Sequence, residues 1–595
     1  MDSGLMTISD PAAATAAPSR AGRRFRGAEN PLLLLKYCDL CLQMGRLAEA
    51  RHALDSLGGA PPAGWPPQFL VGLMRTAEKA GMFRLAAAVL RAALAQDRVP
   101  PLLASHALGI AQSSGQSALA ERLVPALAPR LPDHVRSVFR DQGNLLLAGP
   151  FAALERLRAA PMAGRTPAQA AVVAQVLIEA GERRLALRYL RACRHRWPAA
   201  FAILRMEVVA LIRFGRAGEA LSRLEGLPAG RLSEAMRFSI LLALARHEQA
   251  QALLKRAAAG QLAAPSVHEE MRLAVARGDL ERAEELAPLV AARTGRGATA
   301  MNKFRVSHAG AWMNEMQLLR QVAGGLPLVP GEGPTPYGDL HHVFYLPARL
   351  MTERWQAAGR GMPAGAAAAQ AIPRRVVQYW DSDRPPAMLQ QVMQSWQRPG
   401  YDYRLFSRRS AREWLRSEMG EDHLRAFGLA GSPTEEADFL RLCLLLKDGG
   451  IYADADDLLV AAPETLRRLG GGAILFREAD GAVANNLIIA RPGHPLLRHA
   501  VTMACEAMLR RDNDSPWSKT GPGLLTRAAA VYLGETPEAE ARADLVILPD
   551  QALMRRVQTH MRLPYKSTPE YWNAADGRAP QELMSVLREL ADRGA

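Results

Sequence analysis

The sequence predicts a two-part chain: an all-α array of helical hairpins followed by an α/β domain. Three observations predict it. A small residue followed five positions later by Ala recurs at intervals of 30 to 36 residues through the first half. Beyond Pro373 short apolar runs alternate with helical patterns. A chain of 595 residues is also longer than one core organises.

The repeat is carried by Gly45 with Ala50, Gly81 with Ala86, Gly115 with Ala120, Gly181 with Ala186, Gly215 with Ala220 and Gly278 with Ala283. Weaker copies fall at Gly149 and at Ala245 with Ala250. Such a period marks stacked αα-hairpins, in which Gly permits the turn and the small Ala lets paired helices approach. Gly45-Arg46-Leu47-Ala48-Glu49-Ala50 resembles a tetratricopeptide repeat, although most copies lack that family's aromatic and Pro positions. Residues 30–295 are therefore expected to form a TPR-like solenoid. Such an array presents a surface to a protein partner, or serves as a scaffold or dimerisation module. Residues 1–29 read as a disordered start and 296–371 as a helical, Gly-, Pro- and Ala-rich linker; Tyr345 to Trp355 fits either neighbour.

Residues 372–595 change grammar. Strands are expected at Val376 to Trp380, Tyr403 to Phe406, Gly450 to Tyr452, Ala473 to Phe476, Asn486 to Ala490 and Leu545 to Leu548. Helices are expected at Ala387 to Ser395, Pro433 to Lys447, Pro495 to Arg510 and Leu524 to Leu533. The alternation predicts an α/β sandwich with a mixed or largely parallel sheet, which binds ligands beyond its strand ends.

Composition narrows the function. Net charge is +15, yet seven of the 74 basic residues are Lys and the rest Arg. No aromatic-interleaved basic stripe is present, so nucleic acid is not an expected partner. Five scattered Cys give no disulfide framework, which points to a reducing compartment. Cys38-x-x-Cys41 sits in an apolar helical run and reads as core packing. No apolar run reaches 18 residues and no signal-peptide pattern opens the chain, so a cytoplasmic protein without a membrane span is expected, peripheral to the inner membrane at most.

Chemistry concentrates between Ser432 and Asp456. Ser432, Pro433 and Glu435 fit the N-cap, N1 and N3 positions of a capping box. Asp438 and Arg441 lie three apart on one helical face. Gly449-Gly450 ends the helix and opens a short strand, after which alternation points Asp454 and Asp456 to one side. Two such carboxylates can hold Mn2+ or Mg2+ against a diphosphate. The chain holds two other Asp-x-Asp runs, Asp381-x-Asp383 and Asp512-x-Asp514, and neither follows a helix, a Gly pair and a strand.

This stretch resembles the DXD sugar-binding region of glycosyltransferase family 32, the family of the yeast initiating α-1,6-mannosyltransferase, and more distantly the clostridial glucosylating toxins. Asp and Arg three apart, then Gly-Gly-hydrophobic-Tyr-x-Asp-x-Asp, are all matched here. Ile372 to Trp380 resembles the family's first strand, and Ser395-Trp396, Asn485-Asn486, His494-Pro495 and Thr520 to Gly523 resemble later positions. The resemblance implies a GT-A-like, metal-dependent, retaining hexosyltransferase that uses a UDP- or GDP-sugar and a glycan or protein acceptor. It implies that Trp380 stacks on the nucleobase and that Asp438 and Arg441 contact ribose and donor sugar. It also implies that Asp456 binds the metal and Asp454 contacts ribose or a metal-bound water, so that both count as metal-site residues, with Asp457 a neighbour without a role. Asn485 or Asn486 would line the donor or acceptor side, and Gly521-Pro522 the acceptor wall. The last metal ligand is open among His560, Glu570 and Asn573. Surface-glycan assembly in a bacterium is the expected setting. The competing expectation is an interaction protein whose transferase-like domain is inactive.

Overall fold

The computed structural model describes residues 30–43, 46–61, 64–113, 116–159, 165–225, 231–258, 267–294, 304–305, 307–322, 338–358, 372–567 and 580–593. Residues 1–29, Gly45, Gly115, the Gly359 to Ala371 run, Glu570 and Asn573 lie outside them. The chain divides into two compact units, Met1–Leu103 with Pro580–Val586, and Ala104–Ala579 with Leu587–Ala595.

In the first unit the helices Pro31–Gln43, Leu47–Asp55, Pro67–Lys79 and Phe83–Leu94 form two hairpins. Cys38 and Cys41 are buried and free, and burial pushes the Cys38 thiol up to about 12, as a packing role requires.

The second unit continues the pairs: Pro167–Glu179 with Arg183–Arg196, Phe201–Arg213 with Ala217–Leu224, Arg231–Ala243 with His247–Ala258, and Val267–Arg277 with Leu280–Thr294. The anchors read from sequence are the turns. Gly81, Gly149, Gly181, Gly215, Ala245 and Gly278 all have φ between 52° and 80°. After most of them the next amide reaches back to the helix end, as in Glu182 N–H to Leu177 O (2.9 Å) and Asp279 N–H to Ala274 O (2.9 Å), the closing bond of a Schellman turn. The Ala five positions on is fully buried at 86, 186, 220, 250 and 283.

All six expected strands form: β1 (Arg375–Tyr379), β2 (Asp402–Phe406), β3 (Gly450–Ala453), β5 (Ala473–Arg477), β6 (Val483–Ala490) and β7 (Leu545–Pro549). The sheet order is β2-β1-β3-β6-β5-β7. It is mixed, because β6 runs antiparallel to both neighbours while the other pairs are parallel. Alternation holds along the strands. Val377, Tyr452, Leu475 and Ile488 face the helices Pro433–Lys447, Pro495–Arg510 and Pro522–Glu535, while Val376, Ile451, Ile474 and Ile489 face the opposite core. Two strands of two residues each, β4 (Leu458–Leu459) and β8 (Val557–Gln558), form a separate antiparallel ribbon. They are too short for periodicity to reveal.

The helix Tyr345–Ala358 joins the two patterns. Its buried Arg349 donates to Val275 O (2.9 Å) and Ala276 O at a repeat turn and pairs with Glu353, which also binds Arg477 of β5 (2.7 Å). Among the described residues no helix is long and apolar enough to cross a membrane.

Ala245 is the one described repeat anchor that holds a left-handed turn without being Gly. Ala245→Gly relieves that conformation and is expected to raise stability by about 0.5–1 kcal/mol, read as a higher midpoint in chemical denaturation. A lower midpoint would show that the turn is not strained.

Candidate active site

The site is built where the helix Pro433–Lys447 meets the carboxyl ends of β1 and β3. Ser432 caps the helix by accepting from Glu435 N–H (3.3 Å). The reciprocal half of the capping box is absent. Glu435 turns back to Gly431 N–H (2.7 Å) and pairs with Lys519 (2.8 Å), a stronger partner than a neutral amide. Glu436, one residue on, accepts from Tyr379 Oη (2.6 Å) and Arg408 Nε (2.7 Å) and so ties the helix to the end of β1. Gly449 and Gly450 have φ of 65° and 112°, and a Cβ would meet Pro492 at 2.6 Å and Arg375 O at 2.7 Å. No other residue fits that junction.

Asp438 and Arg441 do share one face, and both are buried. Arg441 Nη2 binds Asp438 (3.1 Å) and Asp454 (3.0 Å), Nη1 donates to Asn485 O, Nε donates to Ala437 O (3.1 Å), and the guanidinium lies over the Tyr452 ring at 4.4 Å. Burial opposes its charge, but Asp454, Tyr452 and Asp438 hold it protonated. Asp438 also accepts from Asn485 Nδ2 (2.9 Å) and Thr520 Oγ1 (3.1 Å), and burial still pushes it up to about 6.

Asp454 and Asp456 part company. The strand ends at Ala453 and the chain turns, with Asp457 N–H donating to Asp454 O (3.1 Å), so a period of two no longer sets the side. Asp454 goes to Arg441 and the Tyr452 hydroxyl (3.2 Å). Asp456 pairs with Lys566 and stands with Asp457 and His560, whose ligand atoms lie within 4.8 Å of one another.

Asp457 is fully buried and holds this corner together. Its carboxylate accepts from His560 N–H (2.8 Å) and Asn486 Nδ2 (2.7 Å), and its carbonyl from Trp396 Nε1 (2.6 Å). Burial, then Asp456 and Asp454, push it well above the usual carboxylate range. Burial also raises Asp454, against Arg441. His560 is exposed, at φ 52°, a conformation that persists only when its surroundings enforce it.

Asn485 and Asn486 serve the two halves separately, Asn485 on Asp438 and Arg441, Asn486 on Asp457 and, through its carbonyl, Asp454 N–H (2.9 Å). Trp380 is half-buried just past β1, edge-on to Tyr565 at 5.4 Å. Gly521 and Pro522 start the helix Pro522–Glu535, and Thr520 before them reaches Asp438. Glu570 and Asn573 are outside the described residues.

Lys566, the contact of Thr520 with Asp438 and the role of Asp457 were not legible as site features. One signal did exist. In a chain that uses Arg almost throughout, two of its seven lysines, Lys519 and Lys566, pair with carboxylates of this region.

The corner offers a divalent cation two carboxylates and an imidazole, and the Lys566 ammonium already places positive charge on Asp456. Residues 386–469 match the family model described as the glycosyltransferase sugar-binding region containing a DXD motif. A Saccharomyces cerevisiae protein, "Putative glycosyltransferase HOC1", is 25% identical over 197 residues, covering 28% of this chain and 50% of the yeast protein. The chain thus spans half the length of that relative. The solved "PaToxG Glycosyltransferase" aligns with 40% of this chain and 96% of its own, at 13% identity and a TM-score of 0.24.

Within residues 386–469 the chain is therefore similar to the sugar-binding region of the DXD glycosyltransferases. The matched stretch, from Pro386 to Leu469, includes Asp438, Arg441 and the Asp-x-Asp.

Because Asp457 is raised, it keeps its proton to a higher pH than an ordinary carboxylate, and a cation bound at the corner would compete with that proton. Mn2+ binding is expected to release protons and to weaken as pH falls. Titration calorimetry in two buffers of unlike ionisation enthalpy reads the release; equal heats in both would refute it.

Proposed function

We propose that the protein transfers a hexose from a nucleoside-diphosphate sugar to a hydroxyl of a glycan or protein acceptor, with a divalent cation and with retention at the anomeric carbon. The carrying observation is the division of labour around Asp454: a buried Arg441 with Asp438 on one side, and a cation corner of Asp456, Asp457 and His560 on the other. The first suits sugar and ribose hydroxyls. The second suits a diphosphate.

In this reading the donor's C1–O bond breaks with oxocarbenium-like charge on the sugar and negative charge on the departing diphosphate. Asp456, His560 and Asp457 would hold Mn2+ or Mg2+, which would supply Lewis-acid charge at the phosphates. Lys566 stands at Asp456 and adds a second positive charge at the leaving group. Trp380, at the rim beside Tyr565, offers a face for the base. Asp438 and Asp454, fixed by Arg441 and Asn485, accept hydrogen bonds from donor hydroxyls. The acceptor hydroxyl attacks on the face the diphosphate leaves and passes its proton to that leaving group. The five buried, free cysteines support a reducing, cytoplasmic setting.

Asp456→Ala is expected to lower donor hydrolysis and transfer at least about 100-fold while the melting temperature stays within a few degrees of wild type. Wild-type turnover by that variant, across a panel of UDP- and GDP-sugars, would sink the assignment. Lys566→Ala is expected to lower kcat more than it raises the donor KM, because the diphosphate's charge grows only as the bond breaks. An effect confined to KM would place Lys566 in ground-state binding alone.

A further inference from the structure

Three consecutive repeat turns run along the segment that carries His560, in antiparallel register. At the Gly215 turn, Arg555 Nε donates to Gly215 O (3.1 Å) and Ala217 N–H to Gln551 Oε1 (3.2 Å). At the Gly181 turn, Gln558 Nε2 donates to Glu179 O (3.1 Å) and Arg183 Nη2 to Val557 O (3.1 Å). At the Gly149 turn, the backbone closes on Pro564 and Met388. As the repeats advance from 149 to 215, the site segment therefore retreats from 564 to 551. The approach is close: a Cβ would meet Met388 Sδ at 2.7 Å from Gly149 and Leu458 Cδ2 at 2.4 Å from Gly181, so those side chains would have to move, and at Gly215 it would meet the backbone Gln551 O at 2.3 Å.

What these turns hold is weak on its own. The β4–β8 ribbon has two residue pairs, Leu458 with Gln558 and Leu459 with Val557, and so short a ribbon is not independently stable. It nonetheless joins both halves of the cation corner, since Asp456 and Asp457 precede β4 and His560 follows β8. His560 is further held in a left-handed conformation that its own sequence does not favour. Gln558 and Arg183 supply the missing restraint by tying β8 to the Gly181 turn. Gln558 is buried, and Arg183 is fixed over the Phe214 ring at 5.1 Å.

We infer that the helical repeats are a structural part of the cation site, with Gln558 and Arg183 as positioning residues that set His560 against Asp456 and Asp457. This rests on the cation reading above. Neither residue touches the cation or the donor. Each acts through β8, as outer-shell partners of metal ligands do.

The test is Mn2+ binding to the full chain without donor, read by electron paramagnetic resonance of free Mn2+, with circular dichroism melts on the same samples. Arg183→Ala and Gln558→Leu are each expected to weaken Mn2+ binding about tenfold. Arg183→Lys, which can still donate to Val557 O, is expected to stay within about twofold of wild type. Wild-type Mn2+ affinity in folded Arg183→Ala and Gln558→Leu overturns the inference while leaving the cation reading intact. So does an equal loss in Arg183→Lys and Arg183→Ala, which would mark simple packing. If Gln558→Leu does not fold, the two Arg183 variants decide alone. Absence of Mn2+ binding by the wild type overturns the cation reading and this inference together.

Discussion

The buried guanidinium of Arg441 is the interaction on which the site depends. It sits where a helix, the end of β3 and the start of β6 converge, and it binds one group from each: Asp438, Asp454 and the carbonyl of Asn485. Removing one partner from a buried ion pair typically costs about 3–5 kcal/mol, because the other charge is left without water or counter-ion. An exposed helix-face pair would contribute far less. Arg441 is thereby bound to a single arrangement, and Asp438 and Asp454 are held in place with it.

A second economy lies in the glycines of the repeats. Their left-handed backbone ends one helix and starts the next, and at Gly149, Gly181 and Gly215 the missing side chain also admits Pro564, Leu458 and Gln551 to close approach. One residue type meets a conformational demand and a steric one. The repeat edge at these turns is engaged within the chain itself, so any partner of this array would have to use its other surfaces.

Charge is unevenly distributed around the Asp-x-Asp. Three carboxylates follow one another closely, two of them pushed toward their protonated forms by burial and mutual repulsion. Arg441 at Asp454 and Lys566 at Asp456 offset that repulsion. Lysine serves here where the chain otherwise uses arginine. A compact ammonium can give up a carboxylate for a phosphate more readily than a guanidinium locked in a planar fork.

The local features were legible because they are short-ranged. The left-handed anchors follow from Gly and Ala spacing, the six strands from alternation, and the helix Pro433–Lys447 from its cap and Gly pair, all within one or two turns of chain. The Asp438–Arg441 pairing is likewise a helical neighbour contact. Alternation failed at Asp454 and Asp456 because the strand stops at Ala453, and a period describes only the element that carries it. Asp457 looked idle since its partners, Asn486 and His560, are 29 and 103 residues away. Lys566 is 110 residues from Asp456, and Arg183 is 374 from Val557. The sequence by itself determined the elements, the turns and the identity of the Asp-x-Asp. Only the tertiary structure decided which carboxylates meet which cations, because those contacts depend on how far-separated segments close on one another and leave no periodic trace.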